Sequence, residues 1–256
     1  MDNNQLKDQI SPTPGIERVR HDTRRRILAV ESIVDITPGM RRIILSGGDL
    51  ADFISLAPDD HIKIFVPAAD GGEERRDYTP RRYDNAERKL TIDFALHEAG
   101  PVTQWAINAR AGDRLEIGGP RGSAVVSKTV KRWLLIGDET ALPAIGRRIE
   151  ESSAGTVITT IAAVTGPLEE QTFETSAELQ VGWAHRPLSQ ATDATALLKL
   201  LRTVDIQPET FIWVAAEASV TRDIRAYLLE RGCPLGWIKA SGYWVFGKAD
   251  TTEKFG

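Results

Sequence analysis

Cysteine and histidine are scarce in this sequence, and their scarcity excludes several kinds of site. The chain of 256 residues contains one cysteine, Cys233, and four histidines. A single thiol excludes an internal disulfide framework and a cysteine-ligated metal or iron–sulfur cluster, which needs several thiolates. His21, His61, His97 and His185 show neither an i,i+4 spacing nor clustering with cysteine, so we predict no metal site.

Charge of one sign is not in large excess, and long apolar runs are absent. The 32 Lys and Arg residues are nearly balanced by 36 Asp and Glu residues, which leaves a net charge of −4. Without a basic field we expect no nucleic acid and no membrane surface as partner. No run approaches the roughly 20 apolar residues of a spanning helix. Because the first residues are too polar for a secretory signal, we expect a cytoplasmic location.

Short strand-like runs dominate the first half of the chain. Turn signals such as Thr37-Pro38-Gly39 and Gly71-Gly72 separate them, and many short strands with such turns predict an antiparallel β-barrel. We assign residues 18–128 to this barrel, and residues 1–17, which are polar and contain Pro and Gly, to a disordered or loosely docked arm. The predicted strands are residues 27–36, 40–46, 61–66, 90–96 and 113–117.

The second half alternates continuous apolar runs with helical patterns. Buried parallel strands have continuous apolar runs, so this alternation predicts a doubly wound α/β domain over residues 129–256, with a boundary near 126–131. Ser219 is the expected cap of the last helix and Gly232 its end. The predicted strands are residues 133–136, 157–164, 181–184 and 210–216, and the helices are 143–152, 192–201 and 219–232.

An extended segment of the first domain carries side chains that suit a cofactor. Because strand side chains alternate, Arg76 and Tyr78 would share one face, with Thr79 and Arg81 on the other. A cation, a flat ring and a hydroxyl suit a flat, phosphate-bearing cofactor such as a flavin dinucleotide. The same pattern also describes a solvated hairpin arm, which is the more common case.

A predicted helix at residues 101–109 offers a second phosphate-binding element. Its entry, Gly100-Pro101-Val102-Thr103, leaves backbone N–H groups free at the positive end of the helix, where a phosphate binds well. The alternative is an ordinary helix entry that Thr103 caps.

Six motifs together resemble a known family. Arg76-x-Tyr78-Thr79 resembles the flavin-binding motif of the ferredoxin–NADP reductase superfamily. Five further blocks, in order, resemble its siderophore-interacting protein branch, and the likeness runs from about residue 20 to about residue 247. These blocks are Asp93-Phe94-Ala95-Leu96-His97, Gly100-Pro101-Val102-Thr103-x-Trp105-Ala106, Gly119-Pro120-Arg121-Gly122-Ser123, Gly137-Asp138-Glu139-Thr140-Ala141-Leu142-Pro143-Ala144-Ile145 and Gly242-Tyr243-Trp244.

The resemblance implies FAD as cofactor. Tyr78 would lie along the flavin ring and Thr79 would bond the N5 region, while Tyr243 or Trp244 would cover the other face. Core packing of a final strand is the alternative for Tyr243 and Trp244. The implied contacts of the barrel to the cofactor are Arg76, Tyr78, Thr79, Asp93, Ala95, His97, Pro101, Val102, Thr103 and Trp105.

The resemblance also implies NADPH or NADH as electron donor. It places the nicotinamide at the turn after residues 133–136, with Thr140 and Glu217 beside it. On the residues alone this turn is equally a simple strand–helix connection, since it lacks the fingerprint of three spaced glycines. Ala216 stands where relatives commonly carry glycine, and a methyl group there could crowd the nicotinamide.

For the substrate, the resemblance implies an anionic ferric chelate. Lys63 and Arg121 match basic positions of the family's pocket and would anchor the chelate through its charge. The alternative for each is a surface cation. Val245 replaces a basic residue that relatives often carry, which would reduce contact with an acidic siderophore.

The implied function is a flavin-dependent reductase that passes electrons from NAD(P)H through FAD to a ferric siderophore and releases Fe(II) for the cytoplasm. Two alternatives stay open. One is a ferredoxin-fed or general flavin electron-transfer protein, and the other is a siderophore-binding module without turnover.

Overall fold

The computed structural model describes residues 12–68, 71–96, 100–248 and 250–255. The first domain is one curled antiparallel sheet with a short helix, α1 (Pro101–Asn108), packed against β4 and β5. The strand order is β5-β4-β8-β2-β3-β7-β6. Its strands are β2 (Arg25–Thr37), β3 (Met40–Ser46), β4 (Ile62–Pro67), β5 (Glu73–Tyr78), β6 (Pro80–Asp84), β7 (Lys89–Ala95) and β8 (Arg114–Gly118).

This sheet has the barrel curvature that the sequence predicts, but it stays open between β5 and β6. The two strands follow each other in the chain through Thr79, yet they are the two edges of the sheet and are not paired. The inner face carries the core because apolar residues alternate along each strand. In β7, for example, Leu90, Ile92 and Phe94 are fully buried.

A separate two-stranded ribbon precedes the second domain. It pairs β1 (Ile16–Arg20) with β9 (Gly122–Val126) in antiparallel register. The last two residues assigned to the arm, Ile16 and Glu17, therefore belong to a strand. Pro14 is buried, and a Cβ on Gly236 would stand 2.5 Å from the Thr13 hydroxyl. Residues 12–15 are thus packed onto the second domain, and residues 1–11 lie outside the described residues.

The second domain is the α/β sheet that the sequence predicts. Five strands are parallel and the sixth, β15, pairs antiparallel with β14, in the order β12-β11-β10-β13-β14-β15. The strands are β10 (Arg132–Gly137), β11 (Val157–Val164), β12 (Glu178–His185), β13 (Thr210–Glu217), β14 (Ile238–Trp244) and β15 (Glu253–Phe255); the helices are α2 (Leu142–Glu150), α3 (Thr195–Leu201) and α4 (Ala218–Glu230).

The start of α4 differs from the prediction, and its end agrees with it. The cap is Glu217, whose carboxylate accepts hydrogen bonds from the amides of Ser219 and Val220, and not Ser219 itself. The longer Glu side chain reaches the free amides from the end of β13. Gly232, with φ 82°, terminates the helix as expected.

Buried polar contacts fasten the two domains together. The Arg147 guanidinium on α2 donates to the Ser55 hydroxyl at 2.7 Å, to the Ser55 carbonyl at 2.7 Å and to the Pro80 carbonyl at 3.1 Å. Arg81 binds Glu150 on α2. Glu169 accepts hydrogen bonds from the Gly39 amide at the turn between β2 and β3. In the part of the chain that the structure describes, no helix is both long and apolar enough to cross a membrane.

Candidate active site

The open edge of the barrel brings together Arg76, Tyr78 and Thr103. Tyr78, at the end of β5, packs its ring 4.6 Å from that of Phe94. Its hydroxyl is hydrogen-bonded to Thr103 on α1. Burial raises the pKa of Tyr78 to about 12, although Thr103 and the charge of Arg76 oppose the rise. The phenol is therefore neutral at physiological pH and acts through its ring and its hydrogen bond.

Two features at this edge fit a pyrophosphate. Gly100 caps α1 with an extended backbone and without a side-chain hydrogen bond, so the alternative in which Thr103 caps this helix is not realised. Among the described residues, no atom lies within 4 Å of a Cβ placed on Gly100, so they leave the helix start approachable. Arg76 is half-buried and pairs with Glu74 at 2.8 Å. Arg76 lies close enough to Tyr78 to influence its pKa, and Tyr78 is bonded to Thr103 in the first turn of α1. A guanidinium and a helix start at one edge are suitable donors for a phosphate-bearing cofactor.

The remaining implied flavin contacts of this edge differ in how far they are exposed to solvent. Val102 and Thr79 are buried, Pro101 is exposed, and Trp105 packs 5.9 Å from Phe94. His97 lies outside the described residues.

Asp93 and Ala95 lie on the outer face of β7, towards the second domain. The Asp93 carboxylate accepts two hydrogen bonds from Arg42, at 2.7 and 2.8 Å, and lies 3.5 Å from Arg81. Ala95 packs with Met40 and Leu142. The Asp93 side chain is thus already paired within the protein.

Asp138, which the sequence reasoning did not single out, organises the carboxyl end of the parallel sheet. One carboxylate oxygen accepts from the amide and hydroxyl of Thr140, at 3.0 and 2.6 Å. The other accepts from the Glu217 amide and the Trp244 indole, both at 2.9 Å. Three of the implied site residues therefore converge on one buried acid. The available signal was an acidic residue directly after a buried strand, where ligands of such sheets bind.

Glu217 is buried and holds two segments at once. Its carboxylate caps α4 and also accepts from the Phe246 amide at 3.2 Å in the segment after β14. Burial by itself would raise the pKa of Glu217, but the hydrogen bonds from Ser219, Phe246 and Val220 outweigh it and lower the pKa. The group is therefore a carboxylate at neutral pH.

Tyr243 is partly buried and packs against the apolar cluster of the second domain. Its ring lies 5.9 Å from that of Trp213 in an edge-to-face arrangement. Burial raises the pKa of Tyr243 well above its ordinary value, and four nearby carboxylates, led by Asp59 and Asp60 and including Asp138 and Asp77, add to the rise. The phenol is therefore neutral.

Lys63 and Arg121, the implied substrate anchors, are in different environments. The Lys63 ammonium binds Asp77 at 2.9 Å and Asp250 at 2.7 Å, so it is not a free cation. Arg121 is exposed, and its guanidinium has no ion pair among the described residues. Among the described residues the two side chains share no hydrogen-bond or ion-pair partner.

Comparison with known proteins assigns both halves of the chain. The family model described as "Siderophore-interacting protein" matches residues 130–247. The model described as "Siderophore-interacting FAD-binding domain" matches residues 29–75 and 72–124. The two matches meet at the connection between β9 and β10.

Relatives and solved structures agree with these matches. An NADPH-dependent ferric-chelate reductase of Escherichia coli is 34% identical over 251 residues, which cover 89% of this chain and 96% of that protein. Ferric vibriobactin reductase of Vibrio cholerae is 30% identical over 135 residues, 45% of this chain and 50% of that protein. A siderophore utilization protein from T. fusca, known from a crystal structure, has 33% sequence identity to this chain. The match covers 93% of this chain and 98% of that protein's chain, and the two structures superpose with a TM-score of 0.85.

Proposed function

The chain belongs to the siderophore-interacting protein family, and we propose that it is an FAD-dependent ferric-siderophore reductase that takes electrons from NADPH. The observation that carries this proposal is the grouping of Arg76, Tyr78 and Thr103 at the start of α1, where the N-cap is a glycine without a capping side chain. It provides a cation, a neutral ring and open backbone amides within the FAD-binding domain of that family. We place the activity in the cytoplasm, where it would release Fe(II).

In this proposal the barrel edge holds the FAD. Arg76 and the amides at the start of α1 bind the pyrophosphate, with Val102 and Thr103 as part of that turn. Tyr78 would support the flavin ring, and Thr79 would offer its hydroxyl to the cofactor. When bound, FAD supplies the coupling between a two-electron hydride donor and a one-electron acceptor.

The carboxyl end of the second sheet receives the nicotinamide. Thr140 and Glu217 line this end, and Asp138 fixes both relative to Trp244. Ala216 is fully buried, and its amide is hydrogen-bonded to Thr221 at 3.2 Å. Its methyl group is therefore part of the packed end of β13.

The substrate arrives with the coordination sphere of its iron filled by siderophore oxygens, so the protein recognises the chelate and not the metal. We place the chelate near Lys63 and Arg121. Hard oxygen donors hold Fe(III) far better than Fe(II), so one electron weakens the complex. The chain needs no general acid, base or nucleophile for this reaction.

An anaerobic assay tests the proposed function. The purified flavoprotein is mixed with a ferric tris-hydroxamate and an Fe(II) trap, and NADPH, NADH and reduced ferredoxin are compared as donors. We expect Fe(II) release with NADPH. Release with ferredoxin alone would support the ferredoxin-fed alternative, and no release with any donor would support a binding module without turnover.

A further inference from the structure

The segment that follows β14 reaches back to the barrel. After Trp244 the chain turns through a bridge between Val245 and Lys248 and returns as β15, which pairs with β14. Arg222 on α4 holds β15 through Glu253 at 2.8 Å. Asp250 stands in the returning stretch and crosses to the first domain. The segment is thus fastened to its own domain at both ends while Asp250 contacts the other domain.

Asp250 binds two cations of the barrel. One carboxylate oxygen accepts from the Lys63 ammonium at 2.7 Å, and the other accepts from the Arg75 guanidinium at 3.1 Å. Lys63 also binds Asp77, its cross-strand neighbour, at 2.9 Å. The positive charges of Lys63 and Arg75 balance the negative charges of Asp77 and Asp250, so this four-residue cluster has no net charge.

The cluster borders the segment that we assign to the cofactor. Asp77 lies between Arg76 and Tyr78 in β5. Its second carboxylate oxygen is buried and has no hydrogen-bond partner among the described residues. Lys63 and Asp250 are about three-quarters covered, whereas the Arg75 side chain is 62% exposed. A ligand that approaches β5 from this side would therefore meet Arg75 and Lys63 with Asp250 already in place.

We propose that Asp250 is a specificity-determining residue. Its carboxylate pairs with Lys63 and Arg75, the cations that an anionic ferric chelate would need to bind, so the enzyme favours ferric chelates of little or no net charge. Hydroxamate-type chelates of Fe(III) can be neutral, whereas a tris-catecholate is a trianion. The inference rests on the proposed function, because it concerns the substrate class of the same reductase.

The variant Asp250→Asn tests this inference with little change in shape. Asp250 has φ 48°, a left-handed conformation that Asn adopts as readily as Asp. The substitution removes one negative charge and leaves Lys63 and Arg75 with one positive charge in excess over Asp77. The matched control is Asp223→Asn, which makes the same change in net charge on the exposed face of α4.

The measurement is the kcat/KM ratio for a ferric tris-catecholate over a neutral ferric tris-hydroxamate, with the holoenzyme and NADPH. At low ionic strength we expect this ratio to rise about tenfold in Asp250→Asn, to stay unchanged in Asp223→Asn, and to fall back as salt screens the charge. The reverse variant Arg75→Glu should lower the ratio. An unchanged ratio in both Asp250→Asn and Arg75→Glu overturns the proposal.

A binding experiment separates this inference from the reductase activity. The gallium(III) tris-catecholate carries the same charge as the ferric complex but is not reduced, so its affinity can be measured by titration without turnover. Tighter binding to Asp250→Asn than to wild type supports the role of Asp250 even if the wild type reduces no chelate, an outcome that would reject only the proposed function. Equal affinity of both proteins for the gallium complex rejects the role of Asp250.

Discussion

At the scale of single residues, Arg76 offers the most direct test of the cofactor site. Replacement by Ala removes a charge-assisted contact to the FAD pyrophosphate, worth about 1.5–3 kcal/mol. Because Arg76 must first leave Glu74, we expect the lower end of this range, about a tenfold weaker retention of FAD. Flavin fluorescence on release gives the dissociation constant.

The control for Arg76→Ala is Arg82→Ala, an exposed cation of β6. Equal FAD affinity in Arg76→Ala and wild type would remove Arg76 from the pyrophosphate site. Release of FMN instead of FAD on denaturation would contradict the dinucleotide assignment itself.

Glu217 leads to a prediction about pH. Its pKa lies below the ordinary value of 4.5, because hydrogen bonds outweigh the effect of burial. A carboxyl group whose pKa is lowered on folding adds stability above its ordinary pKa, and this contribution is lost as the pH falls through the folded-state pKa. We therefore expect the difference in unfolding free energy between wild type and Glu217→Gln to be largest near neutral pH and to shrink below about pH 4.5.

Urea unfolding at several pH values between neutrality and about pH 3 measures this difference. Glu178→Gln, at an exposed position of β12, is the control. A difference that does not vary with pH would show that the carboxylate charge of Glu217 contributes no stability.

At the scale of elements, the carboxyl end of the parallel sheet is where we place electron entry. Thr140→Val removes the hydroxyl that bonds Asp138 at 2.6 Å and keeps the side-chain shape. We expect flavin reduction by NADPH to slow by about tenfold, because small displacements of positioning groups are costly to rate. FAD retention and reoxidation by a ferric chelate should persist, since the proposed sites for both lie in the barrel.

Stopped-flow measurement of the two half-reactions checks this expectation, with Thr129→Val in the exposed connection between β9 and β10 as control. Unimpaired reduction in both Thr140→Val and Glu217→Ala would reject the nicotinamide site at this end of the sheet.

The sequence predicted elements well where the pattern is local. Alternating residues in β7 and continuous apolar residues in β10 and β13 decide their own burial, so both sheets were predictable. The ribbon of β1 and β9 was not predicted, because it joins segments about a hundred residues apart and β1 has no apolar face of its own.

The candidate site was predictable to the same degree and for the same reason. Arg76, Tyr78 and Thr103 belong to short motifs, and the structure brings them together. The pairing of Lys63 with Asp250 spans 187 positions, so no local pattern could show that this cation is neutralised. Asp138 was missed because, besides the bonds to Thr140 in its own turn, its role consists of hydrogen bonds to two distant segments, at Glu217 and Trp244.

At the scale of the whole molecule, Arg147 is a buried link between the domains. Its guanidinium satisfies the Ser55 hydroxyl and carbonyl and the Pro80 carbonyl across the interface. Arg147→Ala leaves these groups without a donor, and unsatisfied buried groups cost about 1–3 kcal/mol each. We expect a loss of about 2–4 kcal/mol in unfolding free energy, with the two domains beginning to unfold separately.

Chemical denaturation followed by the tryptophans of the second domain and by flavin release from the first measures both effects. Lys199→Ala, an exposed cation of α3, is the control. A single transition with unchanged midpoint in Arg147→Ala would show that Arg147 does not contribute to holding the domains together.

The packing of residues 12–15 onto Gly236 has a consequence for recombination between relatives. These residues precede the barrel in the chain but lie against the second domain, with the Gly15 carbonyl bonded to the Ser127 amide at 2.9 Å. Consider a chimera whose second domain comes from a relative, with the crossover in the connection between β9 and β10. In it, residues 12–15 of one parent would lie against the second-domain surface of the other parent. Residues 12–15 and the second domain should therefore be taken from the same parent, although they are two separate segments of the chain.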